Sequence, residues 1–289
     1  MTKEPTPGAY QNETSDVPER FQPANLHEAS LMSQRGQHVD VTALIPPELE
    51  GASGVRKVVQ RVFDWLADTN SSQEYALHTQ EIKEILTGVT GQVFLFDIEG
   101  TLMSDVQLDQ SSELIYYVIP WMRPLIETLL ENGNQVGLWT SAKAESLARM
   151  RKAMGPEMEA LQAIAREDYE KVVKAFQSKS NGELTDEQVL DVMQSVYPDA
   201  NMGSVMTGNQ IFSEDTLESF TISPNSFLRA SKYPQLFLSP TNGFLVDDDG
   251  NFIESATSEG WPKPRAVKCD CNPNRENAVE VARSIASAI

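Results

Sequence analysis

Three short groups of acidic and hydroxyl residues have the types and spacing needed to bind a metal ion or to act as acids, bases and nucleophiles. Each group directly follows a short apolar run. The groups are residues 97–101 after the run 93–96, residues 140–141 after the run 136–139, and residues 247–249 after the run 243–246. In each case the reactive side chains begin where an apolar segment ends.

Several carboxylates in these groups could hold a divalent cation between them: Asp97, Glu99, Asp247 and Asp248. Carboxylates that are brought together repel one another unless a cation lies among them. Hard oxygen ligands in this number suit Mg²⁺, which commonly binds one or two carboxylates together with phosphate. Any one group alone is more simply the polar end of a strand, but three groups together favour a metal site. Asp249, which precedes Gly250, is more typical of a turn.

The apolar runs predict the strands that must position these groups. Short continuous apolar runs are typical of strands buried on both faces, and residues 266–269 indicate a fourth strand. Apolar spacing over 120–132, 277–289 and much of 142–196 predicts helices between and after the strands. This alternation predicts an α/β fold, with a Rossmann-like, mainly parallel sheet and helices on both faces. Ligands bind at the carboxyl ends of strands in such sheets, so the three groups are expected to converge on one edge.

The chain divides into three predicted regions. Residues 1–45 are polar and acidic without periodicity, which predicts a disordered tail. Residues 46–90 contain two amphipathic patterns that predict an N-terminal helical segment. Residues 91–289 form the predicted α/β domain, with a mostly helical insert at about 143–230. The insert could cover the carboxyl edge of the sheet as a cap or pack outside it, and the sequence leaves both alternatives open.

The net charge limits the partners of this protein. With 23 Lys and Arg residues against 42 Asp and Glu residues, the formal net charge is −19. Such a protein is poorly suited to grip nucleic acid or an anionic membrane, since both need a basic surface. An anionic substrate must then meet local cations or a bound metal ion.

Cysteine content and hydropathy indicate the compartment. Cys269 and Cys271 are separated by one residue and are expected to be reduced thiols at the end of a strand. The first residues lack the apolar stretch of a signal peptide. The sequence also contains no run of about 18 apolar residues, so no membrane span is expected. A cytoplasmic location is the resulting expectation.

The order of these motifs resembles the haloacid dehalogenase-like (HAD) superfamily of phosphatases over about residues 90–289. The pattern of that family begins with Asp-x-Asp-x-Thr/Val after a buried strand, and residues 97–101 read Asp-Ile-Glu-Gly-Thr. A Thr or Ser after the second strand is matched by Thr140, and a later Lys or Arg is matched by Lys232. The pattern ends with acidic residues after a later strand, matched by the pair at 247–248.

Further details refine the resemblance within the superfamily. Arg123-Pro124 at the start of a helix, and the spacing of 15 residues between Lys232 and Asp247, are similar to phosphatases of the RNA polymerase C-terminal domain and their NLI-interacting-factor relatives. Glu99 stands where a second Asp is usual, as in the enolase-phosphatase branch, whose Asp-Ile-Glu-Gly-Thr is identical to residues 97–101. The Glu keeps a carboxylic acid at this position on a side chain that is one methylene longer.

The resemblance implies a mechanism through a covalent aspartyl-phosphate. Asp97 would be the nucleophile, and Glu99 would act first as general acid and then as general base. Mg²⁺ would be held by Asp97, by the backbone carbonyl of Glu99 and by Asp247, with Asp248 as a direct or indirect partner.

The resemblance also implies which residues contact the phosphate. Gly100, Thr140 and Ser141 would line it, with the Thr140 hydroxyl donating to a phosphate oxygen. Capping of the following helix is the alternative role for Thr140. Lys232 would neutralise the phosphoryl charge, with Arg229 as the alternative cation.

Two classes of function fit this sequence. The first is an Mg²⁺-dependent phosphomonoester hydrolase that acts on a phosphorylated small molecule or a phosphoprotein. The alternative is a catalytically weak or inactive binding module of the same fold that recognises a basic protein partner. A role in the repair of nucleic-acid ends is disfavoured by the charge of −19. The sequence determines neither the substrate nor the oligomeric state.

Overall fold

The computed structural model describes residues 23, 25–37, 39–45, 54–106, 115–197, 234, 237–258 and 260–289. Within them the strands are β1 (Val93–Phe96), β2 (Met103–Val106), β3 (Ile115–Val118), β4 (Gln135–Trp139), β5 (Gln162–Ile164), β6 (Gly243–Asp247) and β7 (Ala266–Lys268). Five of these strands form a parallel sheet in the order β5-β4-β1-β6-β7. The four predicted strands are therefore confirmed, and all of them belong to one sheet.

The central strand β1 is buried on both faces, as its continuous apolar run predicts. Phe94 and Phe96 contribute to the core on one face, whereas Leu95 contributes to a second core on the other. Phe94 also stacks on Phe244 of the neighbouring strand β6, with ring centroids 4.9 Å apart. Successive side chains of a strand point to opposite faces, so a strand between two helical layers needs apolar residues at every position.

Helices cover both faces of the sheet. They are α1 (Leu26–Gln34), α2 (Val55–Ser71), α3 (Gln73–Ile85), α4 (Arg123–Glu131), α5 (Ala144–Met154), α6 (Pro156–Glu159), α7 (Arg166–Ser180), α8 (Asp186–Val196), α9 (Gly250–Ser258) and α10 (Arg275–Ser287). Helices α3, α4, α5 and α10 contribute to the core with Phe94, and α7, α8 and α9 contribute to the core with Leu95. The fold is thus α/β and Rossmann-like. None of the helices in the described part of the chain is long and apolar enough to cross a membrane.

Strands β2 and β3 form a small antiparallel pair outside the main sheet. This pair was not predicted from the sequence: residues 115–118 are a continuous apolar run that was not assigned to a strand, and residues 103–106 are interrupted by Ser104 and Asp105. It begins directly after the first polar group, where the chain makes a tight turn at Gly100, whose φ is +83°. The turn is closed by a hydrogen bond of 2.8 Å from the Gly100 N–H to the Met103 carbonyl.

The prediction of a disordered tail over residues 1–45 is wrong for its last part. Residues 26–34 form α1, and Asn25 caps that helix by accepting a hydrogen bond of 2.8 Å from the Glu28 N–H. The apolar side chains of this part pack against α2, with Leu26 and Val41 both 2% exposed. The short helical pattern was missed because the segment as a whole has a polar composition. Residues 1–22 lie outside the described part of the chain. The predicted N-terminal helices are present as α2 and α3.

The segment 143–230, predicted to be a mostly helical insert, contains one strand of the main sheet. Residues 162–164 form β5, which pairs in parallel with β4 at the sheet edge. Residues 144–164 are therefore a helical crossover followed by a strand, a unit that belongs to the sheet. The strand has only three residues and begins with Gln162, so its apolar signal is too short to separate it from the surrounding helices. Residues 198–230 lie outside the described part of the chain.

Candidate metal centre

Three carboxylates meet at the carboxyl edge of the sheet. Asp97 directly follows β1 and Asp247 ends β6, two strands that pair with Phe96 opposite Val246. One carboxylate oxygen from each of Asp97, Asp247 and Asp248 lies within 4.8 Å of the other two. Asp97 is only 6% exposed and Asp247 is fully buried. We call these three residues the acidic cluster.

The acidic cluster could bind a metal ion. Like charges held this close in a poorly solvated site repel one another, and a cation among them offsets that repulsion. Three negatively charged oxygen donors suit a hard divalent cation. The structure therefore confirms that the predicted residues Asp97, Asp247 and Asp248 come together in an arrangement that fits a metal.

Gly100 is required next to the acidic cluster for two reasons. Its positive φ is a backbone conformation that L-amino acids with a side chain rarely adopt. A Cβ atom at this position would also lie 2.5 Å from Oδ2 of Asp248, which is well inside van der Waals contact. The missing side chain thus allows the Asp248 carboxylate to lie directly against the turn after β1.

Thr101 holds Asp248 in place, a role that was not predicted from the sequence. Its hydroxyl donates to Oδ1 of Asp248 at 3.2 Å and accepts from the Asp248 N–H at 3.1 Å. Thr101 is fully buried, so this reciprocal pair fixes one carboxylate relative to the turn. In the sequence, this role of Thr101 was indicated only by its position at the end of the polar group 97–101.

The two thiols lie at the same edge, beyond β7. Both are free, Cys269 buried and Cys271 exposed, as predicted for reduced thiols at a strand end. Burial raises the pKa of Cys269 to about 12, although its hydrogen bond with Thr101 opposes the shift. Desolvation raises the pKa of Cys271, and the nearby Asp248 carboxylate adds to that increase. The proximity of both thiols to the acidic cluster was not anticipated from the sequence.

Asp249 makes a turn rather than joining the acidic cluster, as predicted. Its N–H donates to Oδ1 of Asp247 at 2.9 Å. Its own Oδ1 accepts from the backbone N–H of Asn251 at 2.8 Å, in the first turn of α9. Asp249 therefore orients a cluster carboxylate through its backbone while its side chain satisfies the start of a helix.

Thr140 is the buried residue that follows β4, the strand beside β1. It is 1% exposed, and its Oγ1 accepts a hydrogen bond of 2.9 Å from the Ala142 N–H. The following helix α5 begins at Ala144 with Lys143 at its N-cap position, so Thr140 is not the helix cap that was considered as its alternative role. Among the described residues the Thr140 hydroxyl donates no hydrogen bond, which leaves its proton for a ligand.

The remaining predicted site residues differ in their placement. Ser141 lies next to Thr140 and is partly buried, and its carbonyl accepts from Nε of Arg166 at 2.7 Å. Glu99 is exposed on the turn after β1, and its carboxylate is not part of the acidic cluster found in the described residues. The predicted cation Lys232 and its alternative Arg229 lie outside the described part of the chain.

The geometry at this edge supports binding of a metal ion and, beside it, of a ligand that accepts a hydrogen bond from Thr140. The buried carboxylates are suited to hold a cation. The nearby Thr140 hydroxyl can donate its proton to an anion bound next to that cation. Comparison of the chain with protein-family models, with curated proteins and with solved structures gives no match.

Proposed function

We propose that this protein is an Mg²⁺-dependent phosphomonoester hydrolase that works through an aspartyl-phosphate at Asp97. The observation that carries the proposal is the acidic cluster, which lies at the edge where sheets of this type bind ligands. The order of the motifs along the chain, which resembles the haloacid dehalogenase-like phosphatases, adds to it. The exposed Glu99 and the buried Thr140 lie on the segments that follow β1 and β4.

The acidic cluster supplies the ligands in this proposal. Asp97, Asp247 and Asp248 would hold Mg²⁺ together with the backbone carbonyl of Glu99. When bound, the ion supplies positive charge that offsets the repulsion between a carboxylate nucleophile and a phosphate. Gly100 and Thr101 keep Asp248 in its position, so they contribute to binding without being ligands.

Asp97 and Glu99 perform the chemistry in two steps. The Asp97 carboxylate attacks phosphorus in line, and the bond between phosphorus and the leaving oxygen breaks as Glu99 gives that oxygen a proton. Glu99, now a carboxylate, then takes a proton from the water that hydrolyses the aspartyl-phosphate. This hydrolysis releases phosphate and restores Asp97. The exposure of Glu99 lets it reach a leaving group that extends toward solvent.

Hydrogen-bond donors next to Asp97 position the phosphate. The Thr140 hydroxyl, which accepts from the Ala142 N–H, would donate to one phosphate oxygen, and Ser141 and Gly100 would line the phosphate beside it. Lys232 is the proposed cation that neutralises the phosphoryl charge. The net charge of −19 favours a small phosphorylated molecule or a locally phosphorylated protein over a long polyanion.

Hydrolysis of 4-nitrophenyl phosphate tests the proposal. We expect activity with Mg²⁺ that is lost when the ion is removed by a chelator. Asp97→Asn removes the nucleophile and should lower kcat by at least about 1,000-fold. Asp270→Asn is the matched control, because it removes the same charge from an exposed residue just beyond β7.

Two results would contradict the proposal. Full activity in the chelator would exclude the metal-dependent route, and Asp97→Asn with normal kcat would exclude the nucleophile. Failure of the folded protein to bind Mg²⁺, measured as the absence of thermal stabilisation by the ion, would instead favour the binding module for a basic partner.

A further inference from the structure

Arg166 lies at the same carboxyl edge as the acidic cluster, on the opposite side of Thr140. It begins α7, two residues after the last residue of β5. The strand order places β5 beside β4, and β4 beside β1. Two strand spacings of about 4.8 Å therefore separate the ends of β5 and β1, roughly 10 Å in total.

The position of Arg166 is determined by backbone contacts. Its N–H donates to the Ala142 carbonyl at 3.0 Å, and its Nε donates to the Ser141 carbonyl at 2.7 Å. A third hydrogen bond of 3.0 Å joins the Thr140 N–H to the Ile164 carbonyl. These contacts join the segment after β4 to the segment after β5, so the guanidinium is held next to the residue proposed to contact the phosphate.

The positive charge of Arg166 is not compensated by its acidic neighbours. Glu167 accepts from the Ala144 N–H at 2.9 Å, and Asp168 accepts from Lys171 at 3.0 Å. Within the described part of the chain, the terminal nitrogens of Arg166 make no hydrogen bond or ion pair. A guanidinium carries five N–H donors, and only the one on Nε is used here.

Such a group is prepared to bind an anion. Arg166 is partly buried, so its charge is less screened by water than that of a freely moving surface side chain. Its planar fork matches a carboxylate or a phosphate through two parallel hydrogen bonds.

We infer that Arg166 binds a second anionic group of the substrate, a carboxylate or a second phosphate, while the reacting phosphate lies at Thr140 and Asp97. This inference rests on the proposed phosphomonoesterase activity, because it takes the reacting phosphate as the first anchor. It narrows the substrate class to phosphate monoesters that carry another anion at the far end of a short scaffold. Arg166 is thus a specificity-determining residue rather than a catalytic one.

Two matched pairs of compounds test the inference. The substrates are 4-carboxyphenyl phosphate and 4-methylphenyl phosphate, which differ in the charge of the para group. The non-hydrolysable analogues are 4-carboxybenzylphosphonate and 4-methylbenzylphosphonate, whose binding is measured by calorimetry with Mg²⁺. We expect the wild-type protein to favour the carboxylate of each pair by roughly tenfold or more, the range of a charge-assisted pair.

Substitution of Arg166 should remove this preference. In Arg166→Gln the ratio of kcat/KM between the two esters should fall to near one, and Arg166→Lys should give an intermediate ratio. A simple displacement of the Thr140 segment would slow both esters alike and leave the ratio unchanged. Arg151→Gln is the matched control, since it also removes a guanidinium that binds backbone carbonyls, those of Glu159 and Leu161, and should leave the ratio unchanged.

The outcomes separate this inference from the proposed function. Equal use of both esters by the wild-type protein, or an unchanged preference in Arg166→Gln, would overturn the role of Arg166 while the hydrolase activity stands. Preferential binding of the carboxylated phosphonate, lost in Arg166→Gln but without hydrolysis of any ester, would support the anion site and reject the hydrolase. If Arg166→Gln fails to fold, the wild-type preference and the Arg166→Lys ratio still decide the matter.

Discussion

The carboxyl edge of the sheet and the helical seam between α3 and α10 both bury ionisable groups, but they do so in opposite ways. At the edge, the acidic cluster gathers three groups of the same charge. The seam consists of His78, Glu81, Trp121, Arg275 and Arg283. There, one buried imidazole is surrounded by an aromatic ring, a carbonyl and pairs of opposite charge.

The seam pairs its charged side chains within the protein, whereas Nδ1 of His78 and Nε of Arg275 are buried without a hydrogen-bond partner among the described residues. His78 is fully buried, its Nε2–H donates to the Trp121 carbonyl at 2.8 Å, and its ring meets the Trp121 indole edge to face at 5.3 Å. Glu81, which lies one helical turn after His78, accepts hydrogen bonds from Arg275 at 3.0 Å and from Arg283 at 3.1 Å. The hydrogen bonds of Glu81 with Arg275 and Arg283 join α3 to α10.

At the edge, groups of the same charge lie together instead. The carboxylates of the acidic cluster repel one another, and a bound cation would offset that repulsion. Gly100 and Thr101 hold Asp248 close to the turn instead of letting it relax away. A fold that retains local strain and repulsion is expected to do so at a functional site. The seam is thus held together by pairs of opposite charge, whereas the edge gathers like charges at the place where we propose that a ligand binds.

The largest effect should come from adding a methyl group at the edge. Gly100→Ala combines a positive φ, which disfavours Ala by about 1–2 kcal/mol, with the clash against Asp248, which we expect to add about 1–3 kcal/mol. Urea unfolding with and without Mg²⁺ measures both effects. We expect a less stable protein whose unfolding free energy no longer increases with Mg²⁺.

Gly88→Ala is the control for this experiment. Gly88 has a φ of +86°, close to that of Gly100, but no atom of the described residues lies within 4 Å of its Cβ position. The variant should lose only the free energy of unfolding that Ala costs at a positive φ. Mg²⁺ should still increase its unfolding free energy. Equal losses in the two variants would show that the contact between Gly100 and Asp248 does not matter.

An intermediate effect should appear when the seam is tested by pH. Burial lowers the pKa of His78 below its ordinary value of 6.5, and Arg275 adds to this, whereas the Trp121 hydrogen bond, Glu81 and Glu74 oppose it. In acid the unfolded chain therefore binds a proton at this residue that the native protein does not bind. The free energy of unfolding should fall as pH drops below 6.5, by up to about 1.4 kcal/mol per pH unit, until the lowered pKa is reached.

His78→Gln should reduce this pH dependence, because Gln stays neutral and its amide can still donate to the Trp121 carbonyl. At pH 8, urea unfolding gives the change in unfolding free energy that is due to the substitution itself. At pH 5, it also includes the change that is due to protonation of His78 in the unfolded wild-type chain. We expect the wild-type protein to lose more stability than the variant between these two values. Parallel pH profiles for the two proteins would exclude His78 as the group responsible.

The smallest effect should come from the ion pairs of the seam. Glu81→Gln removes the charge that faces both Arg275 and Arg283, whose side chains are 31% and 63% exposed. Pairs this exposed contribute about 0.2–1 kcal/mol, and salt screens them. Thermal unfolding at low and high salt should therefore show a small loss for the variant that shrinks at high salt. A loss of several kcal/mol would mean that the seam depends on charge as strongly as the edge does.

The strands of the main sheet could largely be predicted from local patterns, and the exceptions are short. Residues 93–96 and 243–246 are continuous apolar runs, and they form central strands. Residues 162–164 and helix α1 were missed, because three residues or one short helix carry too little periodicity to stand out from their surroundings. The pair β2–β3 was also missed, because the apolar run of β3 was not assigned to a strand and β2 is interrupted by Ser104 and Asp105.

The acidic cluster could be predicted in outline for a physical reason. Parallel strands present their carboxyl ends at one edge, so residues that follow different strands converge there. The sequence could therefore bring Asp97 and Asp247 to the same edge before any distance was known. It could not assign Thr101 to Asp248, because that contact depends on how tightly the turn at Gly100 folds back.

The sequence by itself determined the type and order of the main elements, because these follow from hydrophobic patterns within a few residues. Only the tertiary structure decided that Asp248 lies against Gly100, that Arg166 is held at the Ser141 carbonyl, and that His78 is buried. Each of these contacts joins residues of different elements. Their distances depend on strand order, register and the packing of whole helices, which no local pattern encodes.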